Sequence, residues 1–261
     1  MEFQRAEGLK FLSVDQISFF GMDRLVCPGD QIVQIWGVLL AGCSSTVAMC
    51  SEWLSVQERT RVGRFVRQED AIHYILAHGC LRLVLSRYIG CDPSAVTFQI
   101  GVTGKPALVA LLDGQKHVYF NLSHSHGRML IAVAQDQEVG VDLEQVRDGV
   151  DVIKLAERFY APAEQRALFG EQLKDQHEKF YCYWVAKETF LKYKGLGLQF
   201  PLDRVEVSLG SNGDSAIVEW RPDGCVPEQA VVRFLPLEEG WVGGVTAKGS
   251  DWKFEICEKA L

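Results

Sequence analysis

Apolar and polar residues change rhythm repeatedly along this chain, and each change marks an element. Ile32 to Leu40 is a nearly unbroken apolar run and reads as a core strand. Ser55-Val56-Gln57-Glu58 has the spacing of a capping box. It opens helical stretches that run towards Tyr88 and stop at Gly90. Short strands are predicted at 95–100, 117–122 and 129–134. Glu138-Val139-Gly140-Val141-Asp142-Leu143-Glu144 alternates strictly and reads as a further strand. Tyr160-Ala161-Pro162-Ala163-Glu164 is a helix start, and a long helix carries Trp184 towards Tyr193-Lys194-Gly195. Strands near 204–208, 216–220, 229–235 and 241–246 complete the pattern. Both long helical stretches end on Tyr-x-Gly, a faint sign that one α/β unit occurs twice.

The richest segment runs from Trp184 to Gly197. On a helix, Trp184, Glu188 and Lys192 lie four residues apart on nearly one face. Lys187 lies about 100° around the axis, still within reach of a shared ligand. Gly195-Leu196-Gly197 then ends the helix and lets the backbone approach something closely. Alone, Glu188 and Lys192 are an ordinary i,i+4 ion pair, worth about 0.2–0.5 kcal/mol. In the alternating strand, Asp142 and Glu144 share one face, opposite Val141 and Leu143. Their repulsion is relieved by water or by a hard divalent cation such as Mg²⁺.

Upstream, Asn121-Leu122-Ser123-His124-Ser125 lies between two apolar runs, at a strand end or turn where hydroxyls and an imidazole can face an anion. Gly104-Lys105-Pro106 places a lysine on a chain stiffened by proline. Arg59, Arg61, Arg64 and Arg67 crowd the helix opened by Ser55, either as a solvated face or as phosphate contacts. Phe180, Tyr181, Tyr183 and Trp184 read as core aromatics, of which Trp184 alone is placed to border a ligand.

Taken in order, these segments resemble the 4′-phosphopantetheinyl transferase superfamily, in its larger class, typified by the surfactin-synthetase-activating enzyme. The carriers of the resemblance are Gly104–Pro106, Asn121–Ser125, Gly140–Glu144 and Trp184–Gly197, with an earlier helix in Arg64-Phe65 through Asp70 to Leu81. The resemblance implies an α+β fold of two similar, pseudo-symmetric lobes with the active site in the cleft between them. Residues 1–30 are then an N-terminal extension, 31–137 the first lobe and 138–261 the second, joined near Gln135–Glu138. It implies an enzyme that moves the phosphopantetheine arm of coenzyme A onto a serine of an apo acyl, peptidyl or aryl carrier protein, releasing adenosine 3′,5′-bisphosphate. Asp142, Glu144 and Glu188 are implied as ligands of Mg²⁺, for which Mn²⁺ can substitute. Glu188 is also the implied base, and Asp142, Glu188 and Lys192 are the catalytic set. Lys192 is implied on the pyrophosphate, Ser123 and His124 on the 3′-phosphate, and Lys105 and Pro106 along the nucleotide. Lys187 and Arg61 complete the coenzyme A contacts. The family often carries a basic residue where this chain has Glu58, which leaves Arg61, Arg59 or Arg64 to meet the 3′-phosphate. Two other readings stay open: a catalytically inactive homologue that binds coenzyme A or carrier protein, and a Mg²⁺-dependent pyrophosphohydrolase.

Composition narrows the setting. At 261 residues, 48% hydrophobic and 23% charged, the chain has the make-up of an ordinary soluble globular protein, and a monomer is expected. A net charge of −7 argues against nucleic acid as partner and requires a local apolar or basic patch for an acidic carrier. Eight cysteines without a C-x-x-C pair suit reduced thiols in the cytoplasm. Leu40-Ala41-Gly42-Cys43 looks like a lipoprotein cleavage site, but its apolar run is short and no basic leader adjoins it. No stretch reaches the ~20 apolar residues of a membrane span.

Overall fold

The computed structural model describes residues 8–19, 24–109, 117–197, 200–222 and 226–257. The first part of the chain holds β1 (Leu12–Ser13), α1 (Val14–Phe19), β2 (Ile32–Leu39), α2 (Ser44–Trp53), α3 (Val56–Val62) and α4 (Gln68–Ile89). A small hairpin of β3 (Phe98–Ile100) and β4 (Pro106–Leu108) follows, then β5 (Val118–Ser125) and β6 (Arg128–Gln135). The second part holds β7 (Val139–Gln145), α5 (Val152–Phe159), α6 (Pro162–Phe169) and α7 (Leu173–Lys194). The strands β8 (Val205–Leu209), β9 (Ser215–Trp220), β10 (Glu228–Phe234), β11 (Trp241–Ala247) and β12 (Lys253–Ile256) complete it.

Two five-stranded sheets form the frame. The second runs β7-β11-β10-β9-β8 and is antiparallel throughout. The first runs β1-β2-β6-β5, with β12 also on β2. The free edge of β2 is shared: β12 pairs in parallel with Ile32–Ile35, and β1 with Val38 and Leu39. The described part of the expected N-terminal extension is thus built into the first sheet, with Val14 and Ile17 buried. Likewise β12, assigned by sequence to the second lobe, crosses back to the first sheet while Trp252 is fully buried between the sheets.

The layers follow from side-chain alternation. Met129, Ile131 and Val133 of β6 face α4, whereas Leu130, Ala132 and Ala134 face the other sheet. Val139, Val141 and Leu143 of β7 meet them there. Buried on both faces, β6 reads in sequence as an apolar run without alternation. The order is α4, first sheet, second sheet, α7. Each lobe is α+β, with a 22-residue helix closed by a left-handed glycine, Gly90 (φ 73°) or Gly195 (φ 64°). Both glycines sit where a side chain would clash with its own backbone. Among the described residues no helix is long and apolar enough to cross a membrane.

The close seat of α7 on β7 places the functional side chains. A Cβ at Gly140 would meet the carbonyl oxygen of Thr189 and lie 2.6 Å from the amide nitrogen of Tyr193. Gly140→Ala is therefore expected to destabilise the protein by about 1–3 kcal/mol or more through overpacking against backbone that cannot retreat. Denaturant unfolding measures it; an unchanged midpoint would contradict this packing.

Candidate active site

The edges of the two sheets meet at β5 and β7, and side chains rather than a backbone ladder join them. Asn121 Oδ1 accepts from the Val141 amide at 3.0 Å. Ser123 Oγ donates to Asp142 Oδ1 at 2.8 Å, and Ser125 Oγ to Glu144 Oε2 at 3.0 Å. Every second residue of β5 is used, as the pleat requires. The polar cluster therefore lies within the last turns of a strand. Asn121 and Ser125 belong to the seam as much as Ser123, which period-two spacing alone would have revealed.

Above the seam lies α7. Lys192 Nζ reaches Asp142 Oδ1 at 2.6 Å and Ser123 Oγ at 2.8 Å. Asp142 is buried, and its second oxygen, Oδ2, has no hydrogen-bond partner. Glu188, one helical turn before Lys192, is 6% exposed. Its carboxyl is pushed up to about 7, first by burial and then by the charge of Asp142; Lys192 opposes the shift and Glu144 adds to it. Glu144 is raised too, by burial and by Asp142. The three carboxyl groups thus act on one another. His124 points to the α4 side of β5, where it is exposed; partial desolvation and then the charges of Lys192, His78 and His73 push its imidazole down.

A cavity of about 230 Å³ opens beside this cluster, lined by Glu188, Leu191 and Lys192, by Asn121 and Leu122, and by Thr103 to Pro106. The loop between β3 and β4 is strapped to the end of α7. Thr103 Oγ1 donates to the Gly195 carbonyl at 2.6 Å, and Lys105 Nζ donates to Glu138 Oε2 at 2.6 Å, the Val139 carbonyl at 3.2 Å and the Tyr193 carbonyl at 3.3 Å. Gly197 (φ 76°) lets the loop in, for a Cβ there would lie 3.2 Å from Thr103.

Two expectations change, those for Lys187 and Trp184. Lys187 does not reach a shared ligand: its side chain is fully buried. Its Nζ is 2.8 Å from Glu164 Oε2, donates to the Leu202 carbonyl at 2.8 Å and also bonds the Val205 carbonyl. Glu164 in turn accepts from the Ala161 amide at 2.8 Å and the Val207 amide at 2.6 Å. The pair ties α6, α7 and β8 together. Trp184 packs edge-on against Phe159 and stacks on Phe180, away from the cavity lining. Arg61 lies over Tyr74 and lines a separate cavity of about 540 Å³ with Gln57, Thr60, Arg64 and Phe65. It does not join the carboxylates. Glu58 forms the capping box with Ser55 and is turned inward.

Among the described residues, no three His, Cys, Asp or Glu side chains form a group that could hold a metal ion; Lys192 stands beside Asp142 instead. The donor chemistry still fits a hard cation. One buried carboxylate oxygen of Asp142 has no hydrogen-bond partner, and Glu144 and Glu188 are both raised, first by burial and then by the charge of Asp142.

Comparison with known proteins accords with this geometry. Residues 138–241 match the family model described as 4′-phosphopantetheinyl transferase superfamily, and residues 42–137 that described as 4′-phosphopantetheinyl transferase, N-terminal. The chain belongs to the 4′-phosphopantetheinyl transferase superfamily and is a transferase of the surfactin-synthetase-activating type. Among its relatives, a 4′-phosphopantetheinyl transferase of Bacillus subtilis is 33% identical, over 76% of this chain and 84% of the relative. The 4′-phosphopantetheinyl transferase HetI of a Nostoc species is 31% identical, over 80% and 89%. The 4′-phosphopantetheinyl transferase Sfp of Bacillus subtilis is 31% identical, over 78% and 86%.

Two outcomes follow from the buried charges. Lys187→Met leaves Glu164 uncompensated and is expected to cost roughly 3–5 kcal/mol, whereas Lys187→Met with Glu164→Gln recovers much of it. Equal losses in the two variants by denaturant unfolding would refute the pairing. For Glu188, the folded chain holds its proton more tightly than the unfolded one. Its contribution to stability is therefore lost as pH rises from 4.5 to about 7. Glu188→Gln is expected to be more stable than the parent at pH 8, by on the order of 3 kcal/mol, and little different at pH 4. Parallel pH dependences for the two proteins would place Glu188 in a less buried setting.

Proposed function

We propose that the seam between the lobes is where this transferase moves the phosphopantetheine arm of coenzyme A onto the serine of an apo carrier protein. The observation that carries the reading is the meeting of Asp142, Glu188 and Lys192 beside a cavity bordered by the Gly104-Lys105-Pro106 loop. The reaction joins the serine oxygen to the phosphorus that bears the pantetheine arm and breaks that phosphorus's bond to the bridging oxygen. Adenosine 3′,5′-bisphosphate leaves with the bridging oxygen. Negative charge gathers on the oxygens of the pyrophosphate, and fixed cations must meet it.

Each residue has a task that its setting supports. Glu188, held to about 7 mainly by burial, is poised near neutrality to take the serine proton. Lys192 carries its ammonium at the cavity wall, where it can turn from Asp142 to a phosphate oxygen. Asp142, Glu144 and Glu188 would hold Mg²⁺, which when bound supplies charge neutralisation at the pyrophosphate. The 3′-phosphate is left to His124 on the α4 side of β5, because Ser123, on the opposite face of the strand, is engaged by Asp142 and Lys192. Pro106 shapes the nucleotide side of the cavity, and Lys105 reaches the ligand by exchanging its exposed partner Glu138. The lobes divide at 137/138, a division that the limits of the two family matches support. We further propose a cytoplasmic monomer that binds neither nucleic acid nor membrane; the free, buried thiols of Cys50 and Cys80 suit a reducing compartment.

Intact-mass analysis tests the reading. A panel of apo carrier proteins is incubated with the enzyme, coenzyme A and Mg²⁺. At least one carrier is expected to gain one phosphopantetheine arm. Asp142→Ala is expected to slow this by about 10²-fold or more while the protein stays folded. Binding of coenzyme A with no carrier modified would favour the inactive homologue, and phosphopantetheine released into water would favour the pyrophosphohydrolase.

A further inference from the structure

The turn that joins β5 to β6 holds a side chain that the mechanism above does not use. Ser125 at the end of β5 pairs with Arg128 at the start of β6, which leaves His126 and Gly127 as a two-residue loop. Both have positive φ, 44° and 78°, as a type I′ hairpin loop requires. Gly127 adopts this conformation freely, whereas His126 has a Cβ that opposes it. Asparagine or glycine is the favoured residue at the first loop position. The histidine therefore adds nothing to the turn itself, and its backbone strain directs attention to its ring.

His126 Nδ1 lies 3.0 Å from Ser125 Oγ, and the same Oγ donates to Glu144 Oε2 at 3.0 Å. Ser125 is buried and Glu144 half-buried, whereas His126 is exposed at the rim. A serine hydroxyl has a single proton. Glu144, ionised as a metal ligand must be, can only accept, so that proton is committed to it. Ser125 Oγ then has only lone pairs for the imidazole, and His126 must offer a proton from Nδ1. The direction of donation is thus fixed, from imidazole to hydroxyl to carboxylate. Each bond polarises the next, so a hydroxyl that accepts from His126 is the stronger donor to Glu144.

We propose that His126, acting through Ser125, is a positioning residue for Glu144 and raises the affinity of the carboxylate cluster for its divalent cation. The inference rests on the transferase reading above, in which Asp142, Glu144 and Glu188 hold Mg²⁺, and it adds a residue to which that reading gives no role. A carboxylate already fixed in direction loses less freedom when it takes up the ion. Hydrogen-bond partners of a ligating carboxylate are commonly worth about tenfold or more in metal affinity.

Two measurements on the full chain test the proposal. The first reads the ring. Long-range ¹H–¹⁵N spectra of the neutral imidazole are expected to show His126 with its proton on Nδ1, the signals being assigned by their loss in His126→Asn. In Ser125→Ala the proton is expected to move to Nε2. The second is the dissociation constant of Mn²⁺ with coenzyme A present and no carrier, taken from the electron paramagnetic resonance of the free ion. His126→Gly keeps the turn but removes the donor, and is expected to weaken Mn²⁺ by about fivefold. His126→Asn keeps the turn and an N–H near the Nδ1 position, and is expected to bind Mn²⁺ like the parent. Ser125→Ala is expected to weaken Mn²⁺ by about tenfold, and His126→Gly to add nothing further in that background. A parent ring protonated on Nε2, or undiminished Mn²⁺ affinity in folded His126→Gly, or losses that add in the double variant, would overturn the role of His126. A folded parent that binds coenzyme A but no Mn²⁺ would overturn the metal assignment and the proposal with it. A folded parent that binds neither would overturn the transferase reading itself.

Discussion

The architecture depends on how closely α7 lies on its sheet. Gly140 on β7 and Gly244 on β11 form the floor beneath the helix. A Cβ at Gly244 would lie 3.0 Å from Val185 and 3.2 Å from Thr189 Oγ1. Larger residues would lift α7 away. Lys192 would then lose Asp142, and the short side chains of β5 could no longer complete the seam. The helix is buried all round where this matters: every residue from Val185 to Leu191 is buried. Glu188 therefore sits in a low-dielectric wall rather than on a wet face, and its raised ionisation follows from that position.

Much of this was legible in the chain. The alternation of 138–144 gave the face of Asp142 and Glu144, and the capping-box spacing placed the start of α3 at Val56. Tyr-x-Gly marked both long helix ends. What escaped had no local signal. A helix buried on all sides has no apolar stripe, so the sequence could not tell which way Lys187 faces. Its partners, Glu164 and the carbonyls of Leu202 and Val205, are distant in the chain. The short β12 acquires its meaning only from β2. Of the other elements without a prior reading, α2 has a mixed surface of serine, threonine and small apolar residues, and β1 has two residues.

Glu58 carries a different lesson. Compared position by position with a motif, it looks like a lost cation. In three dimensions its charge is spent on Ser55, His78 and Arg82, and Arg82 continues to the Val96 carbonyl at 2.7 Å. Residue type at one position misleads when the side chain turns inward and is held by partners on the next helix.

The shared edge of β2 has a consequence for how the protein is made. Lys253 to Ile256 lie beside Ile32 to Ile35, a pairing that spans roughly 220 residues of chain. Contacts so remote in sequence bear a large loop-closure entropy and form late. During synthesis the first lobe emerges with half of that edge bare, an exposed row of amides and carbonyls beside Val33 and Ile35. It must wait for almost the whole second lobe before the edge is covered. Maturation of the two lobes is therefore coupled, and truncations that spare every catalytic residue but remove β12 would leave an enzyme with a sticky flank.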